Sequence, residues 1–414
     1  MNLLKGGEPS SERRPGVNQW WSREDLRFTE GELLFGGQSL QEISESAEEP
    51  CFAYSANRIS DNLDRLRCAL SGLPSRVMFA MKANRFQPLL TFLKTAGVDG
   101  IDVCSPGELL LARQAGFTEQ EISFTGTSVS DADLDVIARH REVWVNCDSL
   151  SSLRRLGERC KGQGRKVGLR INQRVGIAYD DSDVLDYAGK VTKFGIYREQ
   201  MEDAFEIASH YGMRITGLHF HAGCGYLNPQ MDRFRQVLEQ AKPFIEMVDD
   251  LEHLNIGGGI GVPIKPKDQP LDLDVWRSII SEVLGESPGY AIWIEPGDYL
   301  VKDAGVLLLE VNTVEEKGGR KFVGVNGGFN LHIEPAFYNL PLVIVPCRPN
   351  SWAKTETVTV VGNINEALDQ FEEEVELPPV MEGDRLAFLN AGGYGSSMSS
   401  NHCMRGEFSE YLIF

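Results

Sequence analysis

Lys82 is the residue of this sequence with the clearest chemical potential, because it directly follows an apolar run. That run, Val77–Met81, has the composition of a short buried strand, and the amphipathic segment Phe86–Ala96 predicts a helix. A lysine at the end of a buried strand loses solvation, which is expected to lower its pKa. A neutral amine in a pocket can form a Schiff base with an aldehyde cofactor. By position alone, a surface lysine whose amine extends into water is the more common alternative.

Further candidate groups stand at the ends of later runs and near the C-terminus. Gly257–Gly259 are consecutive glycines whose backbone N–H groups can close on an anion, typically a phosphate. Glu295 follows the last run, where a carboxylate can pair with a protonated ring nitrogen and make the ring an electron sink. His221 can stack on an aromatic cofactor, and the Tyr394 hydroxyl can donate to a phosphate. Taken singly, each has an ordinary structural alternative in a turn, an ion pair or the core. Together with Lys82 they describe a pyridoxal-phosphate site.

The elements that must position these groups repeat along the middle of the chain, where short apolar runs alternate with amphipathic stretches. The runs are Val77–Met81, Gly100–Cys104, Ile122–Thr125, Val143–Cys147, Val167–Ile171, Ile215–His221, Leu251–Ile256 and Tyr290–Ile294. This alternation predicts an α/β fold with a (β/α)8 TIM barrel, and an open doubly wound sheet is the alternative. Polar, ionisable or glycine residues end every run, as expected if the chemistry lies at the carboxyl ends of barrel strands.

Composition and charge exclude some classes of function. The chain has 414 residues, of which 42% are hydrophobic and 24% charged, as in ordinary globular proteins. A net charge of −19 argues against nucleic acid or an anionic membrane as a partner, and no apolar run is long enough to span a bilayer. The eight cysteines form no CxxC pair and predict free thiols in a reducing compartment, the cytoplasm. His219 and His221 share a strand face, but no third ligand lies nearby, so no metal site is predicted.

We predict four segments along the chain. Residues 1–17 form a disordered lead, and residues 18–54 form a segment that packs with the C-terminal domain. Residues 55–297 form the cofactor-binding barrel, and residues 298–414 form a mostly-β domain. The acidic run Glu372–Glu376 in that domain is interpreted as a solvated loop or helix face.

Longer motifs make the chain resemble the fold-type III pyridoxal-phosphate decarboxylases, the group of the diaminopimelate and ornithine/arginine decarboxylases. The motifs, in the family's order, are FAMKAN (Phe79–Asn84), GIDVCSPGEL (Gly100–Leu109), KFGI (Lys193–Ile196), GLHFHAG (Gly217–Gly223), NIGGGIG (Asn255–Gly261), EPG (Glu295–Gly297), NEALD (Asn365–Asp369) and GGYGSSMSSN (Gly392–Asn401). The resemblance implies an alanine racemase-like barrel followed by a β domain. It also implies a pyridoxal 5'-phosphate-dependent α-decarboxylase that forms a head-to-tail homodimer with shared active sites.

The resemblance assigns roles to the candidate residues. It implies that Lys82 carries the cofactor, His221 stacks on the ring and Glu295 binds the ring nitrogen. It implies that Gly257–Gly259 and Tyr394 hold the phosphate.

Other positions are assigned by the same resemblance. Asp102, Glu108 and Arg170 are expected to line the pocket near the lysine. Asn365 and Glu366 are expected to reach the site from the other subunit.

The chain departs from the family pattern where the substrate is expected to bind. Asp298 follows EPG, and Glu334 precedes the Pro335–Tyr338 turn, at two positions where the resemblance leads us to expect arginines. Arginine binds a carboxylate through two hydrogen bonds, whereas an acid repels it. We therefore expect a substrate other than diaminopimelate, unless basic residues elsewhere replace these arginines. Asp298, Glu334, Tyr338 and Glu366 are the predicted substrate-binding residues and favour a distal cation, as in a basic amino acid or a conjugate from siderophore, antibiotic or polyamine biosynthesis.

Two further departures bear on the reaction itself. Asn365 replaces a cysteine that, in the family, returns a proton after carbon dioxide leaves, and Cys224 replaces a serine beside the phosphate. Because asparagine is a poor proton donor, a racemase or another reaction on the same fold remains an alternative. A regulatory homologue that binds a partner protein without the cofactor is a third interpretation, against which Lys82 and Glu295 both argue.

Overall fold

The computed structural model describes residues 19–47, 49–349 and 354–414. The predicted disorder of residues 1–17 lies outside the described residues.

A closed barrel of eight parallel strands forms the centre of the molecule. Its strands are β5 (Ser75–Ala80), β6 (Gly100–Val103), β7 (Ile122–Phe124), β8 (Trp144–Cys147), β9 (Lys166–Arg170), β10 (Arg214–His219), β11 (His253–Asn255) and β12 (Ala291–Ile294). Each strand pairs with its neighbours in chain order, and β12 closes the ring by pairing with β5. Each predicted apolar run overlaps one of these strands, so the predicted TIM barrel is confirmed.

Helices cover the outside of the barrel between consecutive strands. They are α3 (Gln87–Thr95), α4 (Pro106–Gln114), α5 (Asp131–Arg139), α6 (Leu150–Cys160), α7 (Met201–Tyr211), α8 (Met231–Ile245) and α9 (Leu273–Leu284), and α2 (Ala56–Ala69) precedes β5. Serine or aspartate caps several N-termini; Ser105 Oγ, for example, accepts a hydrogen bond from the Glu108 N–H at 3.2 Å. The helices bury apolar faces on the strands, so the barrel interior and the strand–helix layer form one core.

A second, mixed sheet combines the two ends of the chain. Its strands are β4 (Cys51–Ser55), β13 (Gly305–Lys317), β14 (Arg320–Val325), β15 (Ile344–Pro346), β16 (Glu356–Val361), β17 (Gln370–Leu377), β18 (Arg385–Phe388) and β19 (Ser409–Ile413). The short strand β4 pairs with the long strand β13 and with the C-terminal strand β19. Two short helices occur in the same part of the chain. Helix α10 (Asp298–Val301) precedes β13, and α11 (Glu334–Tyr338) lies between β14 and β15 in the sequence.

The N-terminal segment adds a small layer of its own. It contains β1 (Leu26–Thr29), β2 (Glu32–Phe35), β3 (Gln38–Ser39) and α1 (Leu40–Ser46). Its buried side chains, Leu33, Phe35 and Leu40 among them, form one cluster with Val306 and Leu308 of β13. The positions of the predicted domain boundaries stay a prediction.

The interpretation of Glu372–Glu376 as a loop or helix face is wrong. These residues belong to β17, which pairs with β16 at the edge of the sheet. Most of the strand's acidic side chains are exposed, and Glu376 accepts hydrogen bonds from Thr355 and Thr357. An edge strand tolerates such charges because one side faces water, and the charges discourage pairing with another chain.

Candidate active site

Two adjoining hollows lie at the carboxyl ends of the barrel strands. The large cavity, about 250 Å³ in volume, is lined by Lys82, Tyr187, His221, Asp298 and Tyr394, among others. A narrow recess beside it, the glycine recess, is lined by Gly258, Gly259 and Glu295. Lys82, His221, Cys224, Asp298 and Tyr394 line both hollows, so the structure brings the predicted lysine, histidine, glutamate and tyrosine together.

Lys82 enters the cavity from the turn that follows β5. Its neighbours Met81 and Ala83 are buried, whereas the Lys82 side chain itself is exposed to the cavity. Burial lowers the pKa of the Lys82 amine, but the acidic groups of Cys104, Asp102 and Glu295 outweigh that effect and raise the pKa. The expectation of a lowered pKa is therefore wrong, because it considered burial without the surrounding acids.

Glu295 follows β12 and is buried in a network of hydrogen bonds. Its Oε1 accepts from Asn255 Nδ2 at 2.6 Å, and its Oε2 lies 3.0 Å from His219 Nε2. Burial alone raises the pKa of Glu295, but His219, the Lys82 charge and the Asn255 amide outweigh it and hold the pKa below its usual value. Glu295 is therefore a fixed, anionic acceptor in the glycine recess.

The backbone of Gly258 and Gly259 lines the glycine recess. A Cβ at Gly258 would collide with the Glu295 carbonyl oxygen, and one at Gly259 would collide with that of Gly223. Within the part of the chain that the structure describes, no residue accepts a hydrogen bond from the N–H of Gly258 or Gly259. These donors and the absence of side chains leave room for an anion.

His221 lies at the boundary of the two hollows. Its ring packs edge-on against Tyr187, with ring centroids 5.1 Å apart. Burial, and then the positive charges of Lys82 and Arg170, lower the pKa of His221 well below its usual value. The imidazole is therefore neutral at physiological pH and suited to stacking on an aromatic ring.

Three other predicted residues are placed behind the cavity wall. Asp102 is buried at the end of β6, where its Oδ1 accepts from Thr125 Oγ1 at 2.9 Å. Arg170 is buried with its guanidinium 4.3 Å from the centre of the Phe194 ring. Glu108 accepts a hydrogen bond from the Cys104 N–H at 2.6 Å. None of Asp102, Arg170 and Glu108 is among the residues that line the two hollows.

One wall of the large cavity carries charged groups from α10, the turn after it and α11. Lys302 Nζ lies 2.6 Å from both carboxylate oxygens of Glu334 and 3.4 Å from Asp298 Oδ2. We call Asp298, Lys302 and Glu334 the ion cluster; Tyr338 lies on the same wall. Sequence reasoning missed Lys302, although its position four residues after Asp298 on a helical turn was an available signal.

Sequence reasoning also missed the side wall of the large cavity. Tyr179, Leu185 and Tyr187 come from the long connection between β9 and α7, and Met398 follows Tyr394 near the C-terminus. Residues in an irregular connection have no periodic pattern, so nothing in the sequence marked them individually. The KFGI motif at the end of this connection was the one available hint.

Asn365 and Glu366 do not join the Lys82 cavity within one chain. Both are exposed on the β domain between β16 and β17, and Glu366 lies 3.5 Å from His402.

Fold and site together define a class of protein: an enzyme that holds an aldehyde cofactor on a lysine at the mouth of a parallel barrel. The family model described as "Pyridoxal-dependent decarboxylase, pyridoxal binding domain" matches residues 56–302. The chain belongs to this family, and it is a pyridoxal-phosphate-dependent carboxy-lyase. The residues present fit the cofactor, because open N–H donors, an anionic carboxylate and a lysine amine meet in adjoining hollows.

Individual relatives cover nearly the whole chain. The diaminopimelate decarboxylase of Methanothermobacter thermautotrophicus is 35% identical over 92% of this chain and 91% of its own length. That of Aquifex aeolicus is 29% identical over 94% of this chain and 92% of its own length. The crystal structure of the M. jannaschii diaminopimelate decarboxylase with L-lysine superposes with a TM-score of 0.85 at 27% identity, covering 94% of this chain and 92% of that one.

These relatives overturn the expectation that diaminopimelate is not the substrate. The charges of Asp298 and Glu334 suggested repulsion of a second carboxylate because the sequence does not show which residues lie beside them. Lys302 pairs with Glu334, so one of the two acids is already neutralised. The racemase and the cofactor-less regulator are set aside as well, because the relatives are decarboxylases.

Three negative findings apply to the described residues. No helix among them is long and apolar enough to cross a membrane. No group of three or more histidine, cysteine, aspartate or glutamate side chains among them is arranged to hold a metal ion. All eight cysteines have free thiols.

Proposed function

We propose that this protein decarboxylates diaminopimelate at one end and releases lysine. The observation that carries the proposal is the match of 35% identity over 92% of the chain to a diaminopimelate decarboxylase. The placement of Lys82 and Glu295 in adjoining hollows supports it independently, since both hollows contain the lysine.

Each residue of the two hollows has a role in this proposal. Lys82 would hold the aldehyde carbon of pyridoxal phosphate, and the free N–H groups of Gly258 and Gly259 would donate to its phosphate. Tyr394, and Cys224 in place of a serine, would complete the phosphate site. His221 would stack on the ring, and its neutral imidazole would avoid repulsion with the ring nitrogen's positive charge.

Decarboxylation needs a proton that stays on the ring nitrogen of the cofactor. When bound, pyridoxal phosphate supplies an electron sink for the pair left at Cα as carbon dioxide departs. Glu295 would keep a proton on the ring nitrogen, because His219 and Asn255 hold it as a carboxylate. Lys82, whose raised pKa favours a protonated amine, would return a proton to the carbon that loses carbon dioxide.

The remaining predictions concern the assembly and its location. We propose a head-to-tail homodimer in which Asn365 and Glu366 of each subunit complete the other subunit's site. Their exposure and their distance from the Lys82 cavity of their own chain support this arrangement. The eight free thiols support a cytoplasmic location.

The direct test is carbon dioxide release from the purified protein loaded with pyridoxal phosphate. We expect one lysine per carbon dioxide from diaminopimelate and loss of at least about 10³-fold in kcat for Lys82→Ala. An exposed lysine outside the site, Lys161→Ala, is the matched control and retains full activity. Absence of carbon dioxide from diaminopimelate in the loaded wild-type protein would refute the proposal.

A further inference from the structure

The glycine recess contains two carboxyl groups, although its backbone has the features of an anion site. Its lining includes the open backbone of Gly258 and Gly259 together with the side chains of Glu295 and Asp298. Both carboxylate oxygens of Glu295 already have hydrogen-bond partners in the barrel interior. Asp298 is therefore the acid whose charge is still to be balanced when a phosphate occupies the recess.

The recess also has few positive charges to offer a phosphate. Among the described residues that line it, Lys82 carries the only side chain that is cationic at physiological pH, because His221 is neutral. With the cofactor bound, the Lys82 amine holds the aldehyde carbon and is not free to pair with the phosphate. Lys302 lines the large cavity but not the recess, and its amine lies 2.6 Å from both oxygens of Glu334. A phosphate next to an ionised Asp298 would therefore be repelled without compensation.

The carboxylate form of Asp298 is weakly stabilised by its surroundings. Its Oδ1 is buried and accepts no hydrogen bond from any residue within the described ranges. This oxygen lies against the turn at Gly393, where a Cβ would come within 2.5 Å of it. Its Oδ2 is 3.4 Å from Lys302 Nζ, a long contact to an ammonium that Glu334 already neutralises. A carboxylate with so few donors loses little when it is protonated.

Charged groups on neighbouring elements act on Asp298 in opposite directions. Lys302, in the turn after α10, opposes protonation of Asp298, and Glu334 of α11 favours it. Burial outweighs Lys302 and raises the pKa of Asp298 to about 6. A phosphate ester carries about −1.5 to −2 charges at neutral pH, so its arrival in the recess would raise this pKa further.

The remaining titratable groups that face Asp298 are uncharged acids. Burial raises the pKa of the Cys224 thiol to about 12 and lifts that of the Tyr394 hydroxyl well above its usual value. The phenols of Tyr187 and Tyr338 in the large cavity have raised pKa values for the same reason. These groups can donate hydrogen bonds to an anion but supply no positive charge. Asp298 is therefore the group here whose own charge can change.

We propose that Asp298 takes up a proton from the solvent when the cofactor phosphate enters the glycine recess, and that its carboxyl group then donates a hydrogen bond to the phosphate. One O–H bond forms on Asp298, a negative charge disappears, and a donor appears at the same place. Cofactor binding is in this way coupled to proton uptake. The proposal rests on the phosphate placement of the proposed function and is independent of which amino acid is the substrate.

The test measures protons taken up by the cofactor-free protein as it binds two probes. Pyridoxine 5'-phosphate carries the phosphate but no aldehyde, so the Lys82 amine stays free, and pyridoxine lacks the phosphate as well. Isothermal titration at about pH 7.5, in two buffers of different ionisation enthalpy, gives the proton count for each probe. We expect pyridoxine 5'-phosphate to bind with uptake of about one proton more than pyridoxine. Equal counts for the two probes would overturn the inference.

Variants assign the proton to one residue. The amide of Asp298→Asn donates at every pH, so the extra proton uptake should disappear. The ratio of the wild-type Kd to the Asp298→Asn Kd for pyridoxine 5'-phosphate should rise about tenfold between about pH 6.5 and 7.5, because only the wild type must first bind a proton. Asp64→Asn, which changes an exposed acid on α2, is the matched control and should behave as the wild type. Extra uptake that persists in Asp298→Asn would place the proton on the phosphate itself and contradict the role of Asp298.

A measurement on the wild type alone decides the question if Asp298→Asn fails to fold. Infrared difference spectra should show the carbonyl band of a newly protonated carboxyl group when pyridoxine 5'-phosphate binds, and its absence would refute the inference. The two proposals also fail differently. If the phosphate strengthens binding without proton uptake, the phosphate placement stands and the role of Asp298 is wrong. If pyridoxine binds as tightly as its phosphate, the phosphate placement is wrong, and the inference falls with it.

Discussion

At the scale of single residues, the chemistry of a side chain depends on partners far away in the sequence. Glu295 is anionic because His219 and Asn255 bind its two oxygens, from strands 76 and 40 positions earlier. Lys82 has a raised pKa because acids surround it, although burial acts in the opposite direction. Residue type predicted which groups take part, whereas their protonation follows from contacts.

Replacing His219 with phenylalanine is expected to make the carboxylate form of Glu295 less stable, although the Glu295 side chain itself remains. Loss of the hydrogen bond at Oε2 raises the pKa of Glu295, so a larger fraction of this carboxyl is protonated at a given pH. We expect kcat to fall about tenfold and the acidic limb of the kcat profile to move to higher pH, with KM nearly unchanged. The measurement is kcat against pH for carbon dioxide release.

His219→Gln is the matching control, because its side-chain amide can donate to Glu295. We expect His219→Gln to have most of the wild-type kcat, and we expect the acidic limb of its kcat profile to lie closer to the wild-type position than that of His219→Phe. An unshifted profile in His219→Phe would mean that His219 serves only packing.

At the scale of elements, loops and short helices decide the site more than the strands do. The glycine recess exists because Gly258 lets the chain after β11 approach the chain after β12, while Gly257 and Gly259 let it approach the chain after β10. The ion cluster exists because α10 and α11 place Asp298 and Glu334 on either side of Lys302. The regular strands form a common rim, and the loops and short helices carry the backbone and side-chain groups that line the recess and form the ion cluster.

Gly258→Ala is expected to damage cofactor binding specifically. The added methyl group would push against the Glu295 carbonyl oxygen and move the free N–H donors, so the Kd for pyridoxal phosphate should rise at least about tenfold. Fluorescence titration of the cofactor-free protein measures this. Gly107→Ala, in α4 where a Cβ meets only the Ser105 hydroxyl at 3.7 Å, should leave the Kd unchanged. Equal Kd values for both variants would argue against a phosphate site in the recess.

At the scale of the whole molecule, the two chain ends and the barrel are joined through one sheet. Strand β4 precedes the barrel, yet it pairs with β13 after the barrel and with the C-terminal strand β19. The Tyr54 hydroxyl on β4 donates to Glu410 on β19 at 2.7 Å, which fixes this closure. The β domain therefore holds Asn365 and Glu366 in a defined place, exposed and away from the Lys82 cavity of the same chain.

If active sites are shared between subunits, two inactive variants should complement each other. Lys82→Ala removes the lysine of one site, and Glu366→Arg blocks the residue that its partner contributes. Refolding the two as a mixture should restore about a quarter of wild-type activity, because half of randomly mixed dimers are heterodimers with one intact site each. Activity of the mixture no higher than that of its parts, with dimers present by ultracentrifugation, would rule out sharing.

Sequence patterns alone predicted the barrel, the cofactor and the rim on which Lys82, His221 and Glu295 meet. Those features follow from local patterns, since an apolar run of strand length and the residue that ends it are both readable along the chain. The sequence did not determine the charge balance of the ion cluster, where Lys302 contacts a carboxylate 32 positions away. That balance follows from the three-dimensional fold, because electrostatic interactions depend on distances of a few ångströms between residues that no sequence pattern connects. For the same reason, two acids that suggested the exclusion of a dicarboxylate led to the wrong substrate.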